Sequence, residues 1–292
     1  MSTAAARLPG HRLHLQHGPI DLVIGAFGPG GEVERAYAAA EARFPRVLPE
    51  LVEELPVLRA PIGDARPVVA GEIAQRMLTA VWPYRDRFIT PMAAVAGAVA
   101  EVMLEVMGNA AALDRAYVNN GGDIAIHLAS GHAMAIGVVG DLADPAIDGR
   151  VTITADDRVR GIATSGWRGR SLSLGIADAV TVLATTASRA DAAATMIANA
   201  VTVDHPAIRR APARSVRSES DLGDMPVTVD VGELPAALRR RALGAGQRRA
   251  EELIGAGLIE AAYLRLQGQS IVVDHGRDTA RRLVDGQARG AM

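Results

Sequence analysis

Apolar residues fall into short runs through the middle of the chain, flanked on both sides by segments with helical spacing. Residues 20–27 and 271–273 are rich in aliphatic residues, which predicts strands. Six similar runs, bounded by Gly, Asn and Asp, predict strands at residues 115–118, 123–128, 132–139, 151–154, 158–163 and 179–185. The segments that predict helices are 32–55 with a break near Pro45 and Pro49, 71–81, 92–107, 189–201 and 234–267. Helices, then contiguous strands, then helices predict an α+β fold in which antiparallel sheets pack with helices.

The same pattern predicts a single domain over residues 1–292, with a flexible leader at about 1–17 and a flexible tail at about 286–292. Residues 209–224 are polar and charged, so we expect a flexible connection there. The segment 92–107 is apolar on most sides and is expected either in the core or at a homodimer interface.

Composition narrows the classes of function. The net charge of −2 argues against a nucleic-acid or membrane partner, because both require a strong positive excess. The chain has no cysteine, and all 31 cationic residues are arginine, so thiolate and lysine chemistry are excluded and anions must be bound by Arg, backbone N–H groups or a metal. We find neither a signal peptide nor an uninterrupted apolar span, which predicts a cytoplasmic protein.

The first segment with candidate chemistry is NNGGD at residues 119–123, between two predicted strands. Asn120-Gly121 is a favoured pair for a two-residue hairpin turn, so a purely structural turn is one interpretation. The functional interpretation is compatible with that turn. Gly121 and Gly122 let the backbone lie against a flat ring or a pyrophosphate, and Asp123 accepts hydrogen bonds from a ligand or holds a metal-bound water.

The second segment is GIATSGWRGRSLSLG at residues 161–175. A loop so rich in glycine and serine can point several backbone N–H groups at one anion, and Arg168 and Arg170 would add charge-assisted contacts to phosphate oxygens. Trp167 would then stack on a ring. The alternative is a solvated loop with surface arginines.

The third segment is SRADAAAT at residues 188–195, on a predicted helix. Asp191 and Thr195 are one turn apart and share a face, where a carboxylate and a hydroxyl suit a hard cation such as Mg²⁺. The alternative is structural, because Ser188 with Asp191 also matches a helix-start signature in which the acid only caps the helix.

The order of the three segments is more specific than any one of them. NNGGDI, GIATSG and AVTVLATTASRADAAAT follow one another along the chain. This order resembles the ApbE-like superfamily of FAD:protein FMN transferases. Two further segments, GRSLSLGIADAVTVLA at residues 169–184 and TPMAAVAGAVAE at residues 90–101, resemble a shorter cytoplasmic branch of that superfamily. The resemblance implies a T-fold-like α+β architecture, FAD in a cleft, a bound Mg²⁺ ion, and transfer of FMN to a threonine of a target protein.

Matching positions transfer the family's site residues onto this chain. The resemblance implies that Asp191 and Thr195 are metal ligands. It also implies that Gly121, Gly122 and Asp123 line the flavin cleft and that Thr164, Ser165 and Gly166 contact the nucleotide. To these predicted cofactor-binding residues we add Asn120 of the first segment and, from their charge, Arg168 and Arg170 of the second.

One stretch departs from the family. The transferases usually follow the S-G segment with a His-Ile-Ile-Asp-Pro-like stretch, whereas this chain has GRSLSLGIAD at residues 169–178. The histidine is absent, so no general base is assigned, and Asp178 is the acidic candidate nearby. Three hypotheses therefore stand: a flavin transferase-like enzyme with FAD or FMN and Mg²⁺, a flavin-dependent reductase component that works with a redox protein in heteroaromatic-acid metabolism, and a non-catalytic module that has lost the chemistry.

Overall fold

The computed structural model describes residues 3–138 and 149–274. In chain order the strands are β1 (Ala4–Leu8), β2 (Arg12–His17), β3 (Ile20–Phe27), β4 (Arg115–Asn120), β5 (Asp123–Leu128), β6 (Ala133–Val138), β7 (Gly149–Thr154), β8 (Gly161–Ser165), β9 (Ala179–Ala184), β10 (Ile208–Pro212), β11 (Pro226–Val231), β12 (Ala261–Leu266) and β13 (Gln269–Asp274). The helices are α1 (Glu32–Glu53), α2 (Leu55–Leu58), α3 (Glu72–Val81), α4 (Val95–Ala110), α5 (Ala187–Ala200), α6 (Ala213–Val216) and α7 (Ala236–Gly255).

The predicted fold class, α+β with antiparallel sheets packed with helices, is confirmed. The chain groups into two compact units. The first unit consists of Met1–Met134, Ile153–Ala163 and Ala184–Ala192, and the second of Ala135–Thr152, Thr164–Leu183 and Ala193–Met292. Our expectation of one domain over residues 1–292 stays a prediction.

In the first unit, strands β1 to β5 follow one another in antiparallel order, and the start of β8 pairs with β5. Helix α4 packs on β4 and β5 and against α1 and α3. Its side chains Val99, Val102, Met103 and Met107 are fully buried. Helix α4 is therefore the centre of this unit's core, as its apolar sequence predicts.

The same stretch also has the composition of a membrane span. Pro91–Ala110 is long and apolar enough to cross a bilayer, with a mean hydropathy of 1.4, but half of it is buried inside the protein. Its packing against two helices and two strands accounts for that apolar character without a membrane.

In the second unit, β9, β12 and β13 lie side by side, with β12 antiparallel to both neighbours. Helix α7 covers β12 and β13. Strands β10 and β11 form a separate antiparallel pair. Gly246 faces this unit's core so closely that an added Cβ would overlap the side chains of Val201 and Leu264.

Two N-terminal expectations differ from the structure. Residues 4–17, expected in a flexible leader, form β1 and β2, because the buried side chains of Leu13 and Leu15 anchor β2 beside β3. Helix α1 is also continuous through Pro45 and Pro49. Both prolines are exposed, where water can satisfy the carbonyl groups that they leave unpaired, while the buried stripe of α1 runs past them.

Two C-terminal expectations also differ. Residues 209–224 are not one flexible connection, because they contain most of β10 and all of α6, and β10 pairs with β11. The segment 234–267 is not helical throughout: one helix, α7, runs through Gly244 and Gly246, and β12 follows it. Cross-strand pairing with β9 and β13 determines the structure of β12, which the apolar run alone could not. The expected tail at 286–292 lies outside the described residues.

Candidate functional site

The diglycine segment lies at the end of a β-hairpin in the first unit. Asn120 pairs with Asp123 across β4 and β5, so Gly121 and Gly122 alone make the turn. The hairpin is as predicted, but the turn lies one residue later than the expected Asn120-Gly121 pair. Gly121 and Gly122 have φ angles of 66° and 114°, which L residues rarely adopt, and this explains why both are glycine.

The end of the hairpin is tied to the start of α4. Asn120 is only 7% exposed, and its side-chain amide donates to the carbonyl of Ala96 at 3.2 Å. The Asn119 side chain accepts the N–H of Gly122 at 2.8 Å. These bonds fix the turn, and with it Asp123, against the first turn of α4.

Asp191 also reaches the first turn of α4. Its Oδ2 accepts the backbone N–H of Gly97 at 3.1 Å, across 94 residues of sequence. Burial raises the pKa of Asp191 well above its ordinary value of 3.8, the nearby charge of Asp123 raises it further, and the N–H groups of Gly97 and Ala96 act in the opposite direction. We call Asp123 and Asp191 the acidic cluster.

The acidic cluster combines a helix N-terminus with two carboxylates. The N-terminal N–H groups of a helix favour negative charge. The second carboxylate opposes it, because two like charges cannot both ionise cheaply in a buried site. In the described part of the chain, no arginine side chain pairs with Asp191.

Residues other than Asp191 cap the start of α5. The structure therefore differs from the interpretation in which Asp191 only caps its own helix. The hydroxyl of Thr186 accepts the N–H of Arg189 at 3.3 Å, and Glu101 of α4 accepts the N–H of Ser188 at 2.6 Å. Asp191 thus contacts the N-terminus of a neighbouring helix rather than that of its own.

Two glycines allow this close packing in the first unit. A Cβ added at Gly97 would overlap the backbone of Ala187, and one added at Gly161 of β8 would overlap the backbone of Thr186 and Ala187. The first turn of α5 therefore lies directly against α4 and the start of β8. This packing holds Asp191 in place.

Thr195, the second predicted metal ligand, lies one turn after Asp191 on α5 and is half-buried. Across residues 3–138 and 149–274 there is no group of three or more His, Cys, Asp or Glu that could hold a metal. Carboxylate and hydroxyl oxygens nevertheless suit Mg²⁺, which usually keeps several waters and takes only one or two protein carboxylates. The donor set is therefore compatible with Mg²⁺, and the assignment stays a prediction.

The Gly/Ser/Arg segment lies mostly in the second unit, where it is held by Asp178. This carboxylate is 5% exposed; its Oδ1 accepts the indole N–H of Trp167 and the Nε–H of Arg168, both at 3.3 Å. Its Oδ2 accepts the backbone N–H of Gln267. Arg168 in turn lies over the Trp167 ring, 4.6 Å from its centroid. We call these four residues the Asp178 cluster.

The backbone of the loop is partly committed to internal bonds. The N–H of Trp167 donates to the carbonyl of Ala177 at 3.0 Å, and that of Gly169 to the carbonyl of Gly166 at 3.1 Å. These two N–H groups are therefore not available to an anion, so the loop has fewer backbone donors for a phosphate than its sequence predicts. Gly166 is required here, since a Cβ would overlap the carbonyl of Asp178.

The remaining candidates in the second unit have varied surroundings. The hydroxyl of Thr164 shares a hydrogen bond of 2.8 Å with that of buried Thr181. Ser165 is half-buried, and Arg170 is exposed with its carbonyl accepting a bond from Arg217 at 2.9 Å. Asp178 accepts three hydrogen bonds, so the structure describes it as an organiser of Trp167 and Arg168, and its catalytic role stays a prediction.

The structure thus brings the predicted residues into two sets. Asn120, Gly121, Gly122, Asp123 and Asp191 meet at the start of α4. Gly166, Arg168 and Asp178 meet in the second unit.

Sequence reasoning missed the role of the α4 N-terminus, Glu101 and Gln267. Their local sequence is ordinary for a helix or a turn, and the only signal was that TPMAAVAGAVAE at residues 90–101 resembles the same superfamily branch.

Comparison with sequence families gives two matches. The family model described as AbpE bacteria matches residues 5–272. The UPF0280 protein of Methanothrix thermoacetophila is 38% identical over 124 residues, which are 42% of this chain and 47% of that protein. The match therefore spans about half the length of this curated relative.

Comparison with solved structures gives matches over almost the whole chain. The ApbE protein of Thermotoga maritima is similar with a TM-score of 0.50 at 11% identity, covering 94% of this chain and 97% of that chain. A variant of the flavin transferase ApbE of Vibrio cholerae gives a TM-score of 0.49 at 11% identity, covering 97% of this chain and 100% of that chain. The Thermotoga match shows that the chain has the ApbE fold, as predicted.

Proposed function

This chain belongs to the AbpE bacteria family, and on that premise we propose that it is a Mg²⁺-dependent enzyme that binds FAD and transfers its FMN part to a hydroxyl group of a target protein. The observation that supports this most is the acidic cluster. Asp123 and Asp191 share the start of α4, and in the described part of the chain no arginine pairs with Asp191. We further propose a cytoplasmic location.

A divalent cation would relieve the repulsion within the acidic cluster. Asp191 and Thr195 would hold it directly, and Asp123 would accept a hydrogen bond from a water on the ion. When bound, Mg²⁺ would neutralise charge on the pyrophosphate of FAD. The raised pKa of Asp191 fits this role, because a nearby cation favours the ionised form that burial disfavours.

Each unit contains one set of proposed flavin-nucleotide contacts. We assign the flavin side to Asn120, Gly121, Gly122 and Asp123, since a Cβ placed on Gly122 would meet no atom within 4 Å and the backbone there is open to close approach. We assign the nucleotide side to Thr164, Ser165, Gly166, Arg168 and Arg170.

Arg168 is the best-positioned anion contact of this set. Its side chain is 36% exposed, but Asp178 and Trp167 hold its orientation. A guanidinium group held in this way loses less side-chain entropy when it binds a phosphate.

The proposed reaction breaks the phosphoanhydride bond of FAD and forms a phosphoester bond to the target protein. The acceptor hydroxyl oxygen forms a bond to the FMN phosphorus, the pyrophosphate bond breaks, and AMP leaves with the electron pair. The hydroxyl proton passes to water or a neighbouring base, since this chain lacks the histidine of the transferases. Positioning and charge stabilisation at the acidic cluster would then provide most of the rate enhancement.

The test is FAD titration with and without Mg²⁺, in the wild type and in Asp191→Ala. We expect tighter FAD binding with Mg²⁺ in the wild type only, and slow release of AMP detected by chromatography. Asp114→Ala, which removes an exposed acid of the same unit, should behave as the wild type.

Equal FAD binding in wild type and Asp191→Ala, with and without Mg²⁺, would remove the metal from the proposal. Retained flavin that bleaches with a reductant, without AMP release, would favour the reductase component. A melting temperature that no flavin or cation changes would indicate the non-catalytic module, because ligands that bind only the native state must raise it.

A further inference from the structure

Helix α4 contacts the first turns of α5 at two points, one helical turn apart. Gly97 donates its N–H to Asp191, and Glu101 accepts the N–H of Ser188 at 2.6 Å. Residues four apart share a helix face, so both contacts come from the same side of α4. Close approach at Gly97, where a Cβ would overlap the backbone of Ala187, places the two helices within reach.

Glu101 is itself fixed on its other side. Its Oε2 lies 3.3 Å from Arg76 of α3, and its side chain is only 12% exposed. Arg76 also pairs with Glu72 and Glu105. Glu101 therefore reaches α5 with one oxygen and α3 with the other, and this side chain has little freedom to move.

The bond from Glu101 does more than cap α5. Thr186 already caps this helix by accepting the N–H of Arg189. The carboxylate of Glu101 comes from another helix, 87 residues earlier in the chain, and it fixes α5 relative to α4. The carboxylate of Asp191 must lie next to the N–H of Gly97, and the position of α5 relative to α4 determines whether it does so.

We propose that Glu101 is a positioning residue, which holds the first turn of α5 so that Asp191 stays at the start of α4 in the geometry that binds the cation. The inference rests on the proposed function for the identity of the ligand. Partners behind metal ligands typically change metal affinity by about 10–100-fold when they are lost.

Three variants separate this role from its alternatives. Glu101→Ala removes both contacts, and Glu101→Gln keeps an acceptor for the N–H of Ser188 but removes the charge. Glu105→Ala is the matched control, because Glu105 also pairs with Arg76 but its side chain is half-exposed. Melting temperatures of all three would measure the purely structural cost.

The first measurement uses the protein without ligand. In Glu101→Ala, hydrogen exchange at the amide of Ser188 should become about tenfold faster or more, while Glu101→Gln and Glu105→Ala should keep slow exchange. The second measurement is Mn²⁺ affinity in the presence of FAD, followed by electron paramagnetic resonance. Glu101→Ala should lose about tenfold in affinity, and Glu101→Gln should recover most of it.

The outcomes are distinguishable. If the wild type binds neither FAD nor Mn²⁺, the proposed function fails, and hydrogen exchange alone still tests whether Glu101 holds α5. If the wild type binds both and Glu101→Ala matches Glu105→Ala, Glu101 does not position Asp191. If Glu101→Gln is as weak as Glu101→Ala in Mn²⁺ affinity, charge rather than position is responsible, and the proposal is overturned.

Discussion

Asp191, which is half-buried, and Asp178, which is buried, are carboxylates with opposite surroundings. Asp178, in the second unit, accepts hydrogen bonds from Arg168, Trp167 and the backbone of Gln267. Asp191, in the first unit, accepts backbone N–H groups of α4 and has Asp123 as its charged neighbour. Asp178 is paired with an arginine, whereas in residues 3–138 and 149–274 no arginine pairs with Asp191, whose polar partners are backbone N–H groups.

The difference indicates what each acid does. A buried carboxylate paired with arginine is satisfied, and it organises the groups that it binds. A buried carboxylate beside a second one has a raised pKa, which is typical of a functional site, and it gains most from an added cation. The comparison therefore separates an organising acid from a binding acid, and four predictions test it.

The largest effect should come from Gly97→Ala, which tests what holds Asp191 in place. The new Cβ would overlap the backbone of Ala187, so α5 must shift. We expect a loss of about 3 kcal/mol in the free energy of unfolding, measured by urea denaturation, together with loss of cation binding.

Gly108→Ala is the control for this change. Gly108 lies on the same helix with nothing near an added Cβ, so alanine should stabilise α4 by about 0.5–1 kcal/mol. If both variants were equally stable, the close packing of α4 on α5 would not be what holds Asp191.

The next effect comes from Asp178→Asn, which removes the charge that pairs with Arg168. We expect a loss of about 2 kcal/mol, because hydrogen bonds to a buried charged group are broken or weakened. Urea denaturation and the tryptophan fluorescence of Trp167 would report it. Asp191→Asn should have no such cost at neutral pH, and an equal loss in both variants would remove the distinction between the two acids.

A smaller effect concerns pH. The pKa of Asp191 is raised above 3.8 in the folded protein, so as the pH rises the unfolded chain loses this proton first. The stability that the group contributes therefore falls as the pH rises from 3.8 until it passes the pKa of the folded state. The slope from this one group is at most about 1.4 kcal/mol per pH unit.

Asp191→Asn should abolish that part of the pH dependence, measured by denaturation between pH 4 and neutrality without divalent cations. Asp178→Asn should retain it. An unchanged pH profile in Asp191→Asn would mean that this carboxyl is not desolvated.

The smallest effect concerns the hairpin turn that carries Asp123. Gly122→Ala should cost about 1 kcal/mol, because alanine rarely adopts its φ of 114°, although there is space for the side chain. Gly121→Asn should cost less, since asparagine tolerates the left-handed φ of 66°. Thermal melting of the two variants would compare them, and equal costs would contradict the assigned turn.

Local pattern was sufficient for much of the fold. The strands at β3, β4, β5 and β9 and the helices at α3 and α5 were predicted near their observed bounds, because apolar spacing and turn residues agree there. It failed at α1, where prolines suggested a break, and at β12, where helical propensity continued into a strand. In both places tertiary packing outweighed the local preference.

The residues of the candidate site also fall into a group that the sequence identified and a group that only the structure revealed. Asp123, Arg168, Asp178 and Asp191 were identified from segments of sequence, but Glu101 and Gln267 were not, since neither carries a motif. Each acts through a contact with a residue more than eighty positions away. No spacing rule within one segment can predict such a partner.

By itself the sequence determined the diglycine hairpin, the strands between residues 20 and 184 and the dependence on arginine or backbone for binding anions, because these follow from neighbouring residues or from composition. Only the tertiary structure decided which polar groups surround each of the two carboxylates, Asp178 and Asp191. Asp178 meets Gln267 across 89 residues and Asp191 meets Gly97 across 94. The charge environment of a side chain depends on what folding places beside it, and that is set by packing rather than by position along the chain.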